Sequence, residues 1–177
     1  SAIFEFLDGK LVIHHGKEYQ VMTNAPPFEQ QLGLNRYWQT IGGSTLLPGT
    51  NRAADRFVRA SYYINEATQT ADPRRAVATV FSVMRNVSVP IGVKIPGQPN
   101  IADTLWLTVS DQKNKVYYHQ DTNSPSILCA NLNAMDFSEG SGPRQLLVDG
   151  NPDLAGDQTA SFQPAELFKY ISPDTPH

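Results

Sequence analysis

Residues 2–14 read Ala-Ile-Phe-Glu-Phe-Leu-Asp-Gly-Lys-Leu-Val-Ile-His, and Asp8-Gly9 in the middle of that run decides the local chain path. Asp and Gly both accept the positive φ angles of a type I′ turn, whose twist matches that of two antiparallel strands. Apolar residues at 2–6 and 11–14 flank the turn, so the stretch predicts a β-hairpin. A third strand is expected over residues 18–23. It closes at Asn24-Ala25-Pro26-Pro27, because proline lacks the ladder donor and pushes Ala25 towards extended geometry. Asn24 is thus expected at a rigid strand end.

Working outward, residues 28–41 carry Leu32, Leu34, Tyr37, Trp38 and Ile41, an imperfect helical face that Gly42-Gly43-Ser44 breaks. A second helix follows the loop at 46–51 and presents Phe57, Ala60, Ser61 and Ile64. A third begins at Asp72, a fitting N-cap, with Pro73 at the first helical position. Its apolar stripe is Ala76, Val77, Val80, Phe81, Met84 and Val87.

Beyond the Pro/Gly-rich residues 90–100, residues 104–111 alternate, with Leu105, Leu107 and Val109 on one side. They turn at Lys113-Asn114 into a strand at 116–119, and 126–132 reads as another. The tail is loop-rich, with short apolar pieces at 146–148 and 167–171. Strands, then helices, then strands signal the segregated layers of an α+β protein. With no repeat and no linker, residues 1–177 read as a single unit.

The chain has 177 residues, 40% of them apolar, so it buries a core and is not disordered for lack of burial. No apolar run approaches the ~20 residues that cross a bilayer, so no membrane partner is expected. Fourteen basic and 17 acidic residues give a net charge of -3. They are scattered without a basic stripe, which excludes nucleic acid as a partner. The one cysteine, Cys129, excludes an internal disulfide and a zinc site. His14 and His15 are neighbours on a strand, so they point to opposite faces and cannot chelate one metal; they read as surface or turn histidines. His119 and His177 have no partner in sequence. No cofactor and no metal is expected, and neither a phosphate-binding loop nor a G-x-S-x-G elbow is present. Ser1 opens without an initiator Met or a charged leader, which reads as the edge of a processed or cut chain.

Three residues carry possible chemistry. Ser1 is a candidate nucleophile with its own α-amine as general base, set against the preferred reading that a chain boundary falls at a serine. Asn24 offers an amide NH₂ from a fixed spot, as an oxyanion donor requires. Arg56 is either a satisfied ion pair, with Asp55 or a cross-sheet carboxylate, or a permanent cation aimed into a pocket. Residue type alone favours the structural role at both Asn24 and Arg56.

The combination of segments changes that balance. Ser1-Ala2-Ile3-Phe4-Glu5-Phe6-Leu7-Asp8-Gly9-Lys10, then Val21-Met22-Thr23-Asn24-Ala25-Pro26-Pro27-Phe28 with Gln31-Leu32, then Leu47-Pro48-Gly49 and Asp55-Arg56-Phe57-Val58-Arg59-Ala60, resemble the choloylglycine hydrolase family. That family includes penicillin V acylases and bile salt hydrolases. Arg85-Asn86-Val87-Ser88-Val89-Pro90, Trp106, Asp111-Gln112-Lys113-Asn114 and Val116-Tyr117-Tyr118 resemble its Gram-negative branch, so the likeness spans essentially the whole chain.

The resemblance implies an N-terminal-nucleophile hydrolase: an αββα sandwich with antiparallel sheets and outer helices, cleaving a linear amide C–N bond through an N-terminal cysteine. It implies that Asn24 helps form the oxyanion hole and that Arg56 lines the active site, where its charge favours a thiolate and an unprotonated amine. The matching segments are those of the C-terminal half of such an enzyme. The expected partners are therefore the N-terminal part of the same enzyme and a small-molecule acyl amide, in a periplasmic homo-oligomer. Ser1 falls at an interior strand of the family pattern, which argues against it as nucleophile, and Cys129 reads as a small buried residue. The isolated chain is expected to be inactive. The alternatives are a non-catalytic binding or scaffold domain, and a self-processed amidase with Ser1 as nucleophile.

Overall fold

The computed structural model describes residues 2–16, 20–43, 45–93, 96–97 and 103–170. The chain divides into two compact units, Ser1–Thr104 and Leu105–His177.

In the first unit, strands β1 (Ala2–Leu7) and β2 (Lys10–His15) form the expected antiparallel hairpin. Asp8 and Gly9 take φ of 49° and 75°, the pair of positive values that a type I′ turn demands. Alternation turns Ile3, Glu5, Val12 and His14 inward. The other face is apolar and open: Phe4 stands opposite Ile13 and Phe6 opposite Leu11, all four between 51% and 79% exposed.

The strand expected over residues 18–23 does not form in its described part, residues 20–23, while residues 17–19 lie outside the described ones. Val21 is buried in the core, and the Thr23 hydroxyl shares its one proton between acceptors on two helices. Side chains, rather than a strand ladder, fasten this segment.

Three helices follow: α1 (Phe28–Gly42), α2 (Ala53–Glu66) and α3 (Pro73–Asn86). No side chain at Pro27 caps α1. Its first N–H, on Phe28, donates instead to the Glu5 carboxylate of β1 at 2.9 Å, so the sheet itself caps the helix. The imperfect apolar face of α1 has its counterpart in burial, since only Phe28 and Gln31 are buried along it.

At α3 the Asp72 carboxylate accepts from the Arg74 N–H at 2.9 Å, with Pro73 first in the helix. Replacing this cap by alanine is expected to cost about 1 kcal/mol, read as a lower urea midpoint with an unchanged slope. The α3 stripe is less buried than its pattern predicts. Phe81 alone is buried in α3, and Val80 is 45% exposed. Ala76, Val80, Val83 and Met84 instead line, with Ile64 of α2, an apolar groove of about 410 Å³.

The core between hairpin and helices is Ile3, Val21, Phe28, Phe57 and Ala60, flanked by Leu32, Ile64 and Val87. Phe28 and Phe57 meet edge-on with ring centres 5.7 Å apart, a geometry that aromatic quadrupoles favour.

The second unit holds β3 (Trp106–Asp111), β4 (Val116–Asp121), β5 (Leu128–Asn131), β6 (Arg144–Gln145), β7 (Gly156–Asp157) and β8 (Gln163–Pro164). One sheet runs β3-β4-β5-β7, antiparallel except for the parallel β5–β7 edge, and β6 pairs with β8. Leu107, Val109, Leu128 and Ala130 are its buried residues. Leu105, expected on the same side, precedes β3 and is 59% exposed. Among the described residues no helix is long and apolar enough to cross a membrane.

Candidate active site

The site is built where the chain leaves residues 20–23 for α1. Asn24 is exposed, and the next peptide bond but one, Ala25–Pro26, is cis. The turn lacks strand partners, so its carbonyls need other donors. The side chain of Gln31, on the first turn of α1, donates to the carbonyls of Asn24 at 2.7 Å and Pro26 at 2.6 Å. Its own oxygen lies 2.6 Å from the Thr23 hydroxyl, which is also 2.9 Å from the carbonyl of Ala53, the first residue of α2. The turn is thereby tied to both helices.

Helix α2 brings two arginines to the same place. Arg59 is only 8% exposed, and its guanidinium donates to the carbonyls of Pro48 and Thr50, each at 2.8 Å. Arg56, half-buried, donates from Nε to the carbonyl of Asn51 at 3.1 Å and from Nη2 to Oδ1 of Asn24 at 2.6 Å. The sequence left open whether Arg56 is an ion pair or a free cation. Asp55 accepts from the Thr50 hydroxyl, and among the described residues no carboxylate pairs with Arg56 or Arg59. Burial, and then the neighbouring charge of Arg59, lower the pKa of Arg56.

This geometry orients Asn24. A guanidinium only donates, so the Asn24 oxygen must face Arg56 and the NH₂ must face away. That NH₂ has no protein acceptor among the described residues. A polarised amide donor beside an uncompensated cation suits a group on which negative charge develops. Asn24 and Arg56, 32 residues apart in sequence, are thus brought into direct contact.

The other candidates have surroundings of their own. His14 is not a surface or turn histidine: it is 8% exposed, with Nε2 3.0 Å from Glu5 and Nδ1 3.5 Å from Glu29. Facing inward on β2, it stacks near Phe28 and draws on the carboxylate that caps α1. His15 is exposed on the opposite face. His119 lies on β4 in the second unit, with its Nε2 buried and unpaired among the described residues. Cys129 lies half-buried on β5, and burial, then Asp157, push its thiol pKa up, the reverse of an activated nucleophile. Ser1 and His177 lie outside the described residues. Among the described residues no three His, Cys, Asp or Glu side chains cluster to hold a metal.

Sequence reasoning assigned no role to Gln31, Thr23, Glu5 or Arg59, although the segments that carry the resemblance contain all four. The available signal was a polar residue, Gln31, one turn into a helix that opens beside two prolines.

The model of the linear amide C–N hydrolases of the choloylglycine hydrolase family matches residues 1–149. The chain belongs to this family. It is 45% identical to a penicillin V acylase of Pectobacterium atrosepticum, a match covering 96% of the chain and 49% of the relative. It is 30% identical to a conjugated bile acid hydrolase of Lactobacillus acidophilus, over 55% of the chain and 38% of that protein.

Among solved structures, the penicillin V acylase of Agrobacterium tumefaciens superposes with a TM-score of 0.89 at 47% identity, over 96% of this chain and 55% of the other. A C2A variant of the conjugated bile acid hydrolase of Clostridium perfringens gives 0.60 at 19% identity over 76% of this chain, a likeness of fold. This choloylglycine hydrolase chain therefore has the expected α+β class and fold of the N-terminal-nucleophile hydrolases. It spans about half the length of the relatives it matches.

Proposed function

We propose that the chain is the C-terminal part of one larger amidase domain, to which it contributes Asn24 as oxyanion donor and Arg56 as active-site cation, while an N-terminal cysteine elsewhere in the protein is the nucleophile. The observation that carries this reading is the 2.6 Å bond from Arg56 to the Asn24 oxygen, which leaves the amide NH₂ as an oriented donor. Family membership supplies the bond type, a linear amide C–N.

In the proposed reaction a thiolate attacks the acyl carbonyl, and the electron pair of the C=O bond moves onto oxygen as the tetrahedral intermediate forms. Asn24 donates to that oxygen, the proton given up by the thiol passes to the leaving nitrogen, and collapse breaks the C–N bond to expel the amine and leave a thioester; water then adds to the thioester, its hydroxyl going to the acid and its proton back to the sulfur. Arg56 lowers the cost of negative charge on both thiolate and oxyanion.

Cys129 does not serve as the nucleophile in this scheme, because burial and Asp157 push its thiol pKa up, away from the thiolate that attack requires. In this reading the rest of the protein covers the open face of Phe4, Phe6, Leu11 and Ile13, each more than half exposed.

The test is amine release from penicillin V, a glycine-conjugated bile acid and an N-acyl homoserine lactone, with the complete protein and with these 177 residues alone. Release by the complete protein from at least one substrate, and none by the isolated chain, is expected. Turnover by the isolated chain, or none by the complete protein, overturns the reading.

A further inference from the structure

We infer that Gln31, acting with Thr23, is a positioning residue that sets where Asn24 stands, an inference that rests on the reading of Asn24 as oxyanion donor. Gln31 is 2% exposed, and a buried amide is costly unless its hydrogen-bonding groups are paired. A glutamine that merely filled core volume would spread its bonds over whatever oxygens surround it. Gln31 instead directs them all to one stretch: the carbonyl of Asn24 at 2.7 Å, the carbonyl of Pro26 at 2.6 Å and the hydroxyl of Thr23 at 2.6 Å.

The same hydroxyl lies 2.9 Å from the carbonyl of Ala53, three residues before Arg56 on α2. The single Thr23 proton is shared between two acceptors, the Gln31 oxygen and the Ala53 carbonyl, so this hydroxyl sets the backbone of Asn24 against the helix that carries Arg56. Arg56 then fixes the direction of the side chain from the far end. Neither Gln31 nor Thr23 reaches the substrate in this scheme. Their contribution is positional, since an oxyanion donor must stand 2.7–3.1 Å from the developing charge, and a misplacement of about 1 Å costs about 100-fold in rate.

The experiment measures kcat and KM of the complete enzyme carrying Gln31→Leu, Asn24→Ala or both. Gln31→Leu is expected to lower kcat about 10- to 100-fold with KM within about 3-fold, because the loss falls on the transition state. In the Asn24→Ala background the same change is expected to lower kcat by no more than about 2-fold, because the group it positions is already gone. A normal kcat in Gln31→Leu, or losses that multiply in the double variant, overturns the positioning role.

A normal kcat in Asn24→Ala is a different result: it removes the oxyanion reading, and the positioning inference with it. Should Gln31→Leu fail to fold, Thr23→Val and Thr23→Ser decide instead. Valine keeps the volume and loses the hydroxyl, and is expected to lower kcat by the same order, while serine keeps the hydroxyl and stays within about 3-fold of the parent. An unaffected Thr23→Val, or a Thr23→Ser as slow as Thr23→Val, overturns the inference.

Discussion

Asn24→Ala in the complete enzyme is expected to lower kcat by about 10²- to 10³-fold, the loss that follows removal of one oxyanion donor. KM should move little, since the donor is aimed at the place where the oxyanion forms and not at the ground-state carbonyl oxygen. The geometry behind this is the Arg56 bond, which occupies the amide oxygen and leaves the NH₂ to an incoming group. Asn24→Asp sharpens the result. An aspartate retains the acceptor for Arg56 but puts a second oxygen where the NH₂ stood, so the loss should equal or exceed that of alanine.

Stability separates this from a folding defect. Asn24 is exposed and its backbone carbonyl is held by Gln31, so thermal unfolding of both variants should stay within about 0.5 kcal/mol of the parent. A kcat within about 3-fold of the parent in Asn24→Ala would remove Asn24 from the mechanism.

The second large effect is expected at Arg56. Its guanidinium spans two acceptors, the Asn51 carbonyl through Nε and the Asn24 oxygen through Nη2. A lysine retains the charge but replaces that planar fork by a single point, so Arg56→Lys cannot restore both bonds. We expect kcat/KM to fall about 10²-fold in Arg56→Met and about 10-fold or more in Arg56→Lys, the order of loss that follows when a catalytic group is misoriented.

The pH profile distinguishes charge from geometry. A nearby cation lowers the pKa of a thiol, so removing it raises that pKa and moves the acid limb of kcat/KM to higher pH. That shift is expected in Arg56→Met and not in Arg56→Lys. An unmoved limb in Arg56→Met would confine Arg56 to holding Asn24.

Much of this architecture was legible in the residues themselves, because it depends on local chemistry. Asp8-Gly9 accepts two positive φ angles, and the hairpin follows from it. Asp72-Pro73 caps α3 by a bond that closes within two residues. The alternation around Leu107 and Val109 is a local period, and β3 follows it with those two residues buried.

The misreadings share the opposite property. Residues 18–23 carry the pattern of a strand, yet in the described part of that run core packing and long-range side-chain bonds replace the ladder. The stripe on α3 specifies an amphipathic helix without specifying how much of its face a neighbour fills, and the groove beside Val80 and Met84 is the part left over. His14 sits on a strand pattern that says which face it shares but not that Glu5, nine residues earlier, waits there with a carboxylate.

The candidate site divides along the same line. Residue type makes Asn24 and Arg56 candidates, an amide at a proline-stopped turn and an arginine beside a core phenylalanine, and the family resemblance is what assigns them site roles. That they touch, which atom of Asn24 faces the guanidinium, and that Gln31, Thr23 and Arg59 hold the frame are outcomes of tertiary structure alone. The physical reason is that a motif specifies which groups are present and their local conformation. Orientation of a side chain with two chemically different ends is decided by its partner, and the partner of Asn24 stands 32 residues away, on a helix that the packed core of Phe28 and Phe57 and the Thr23 hydroxyl bring alongside.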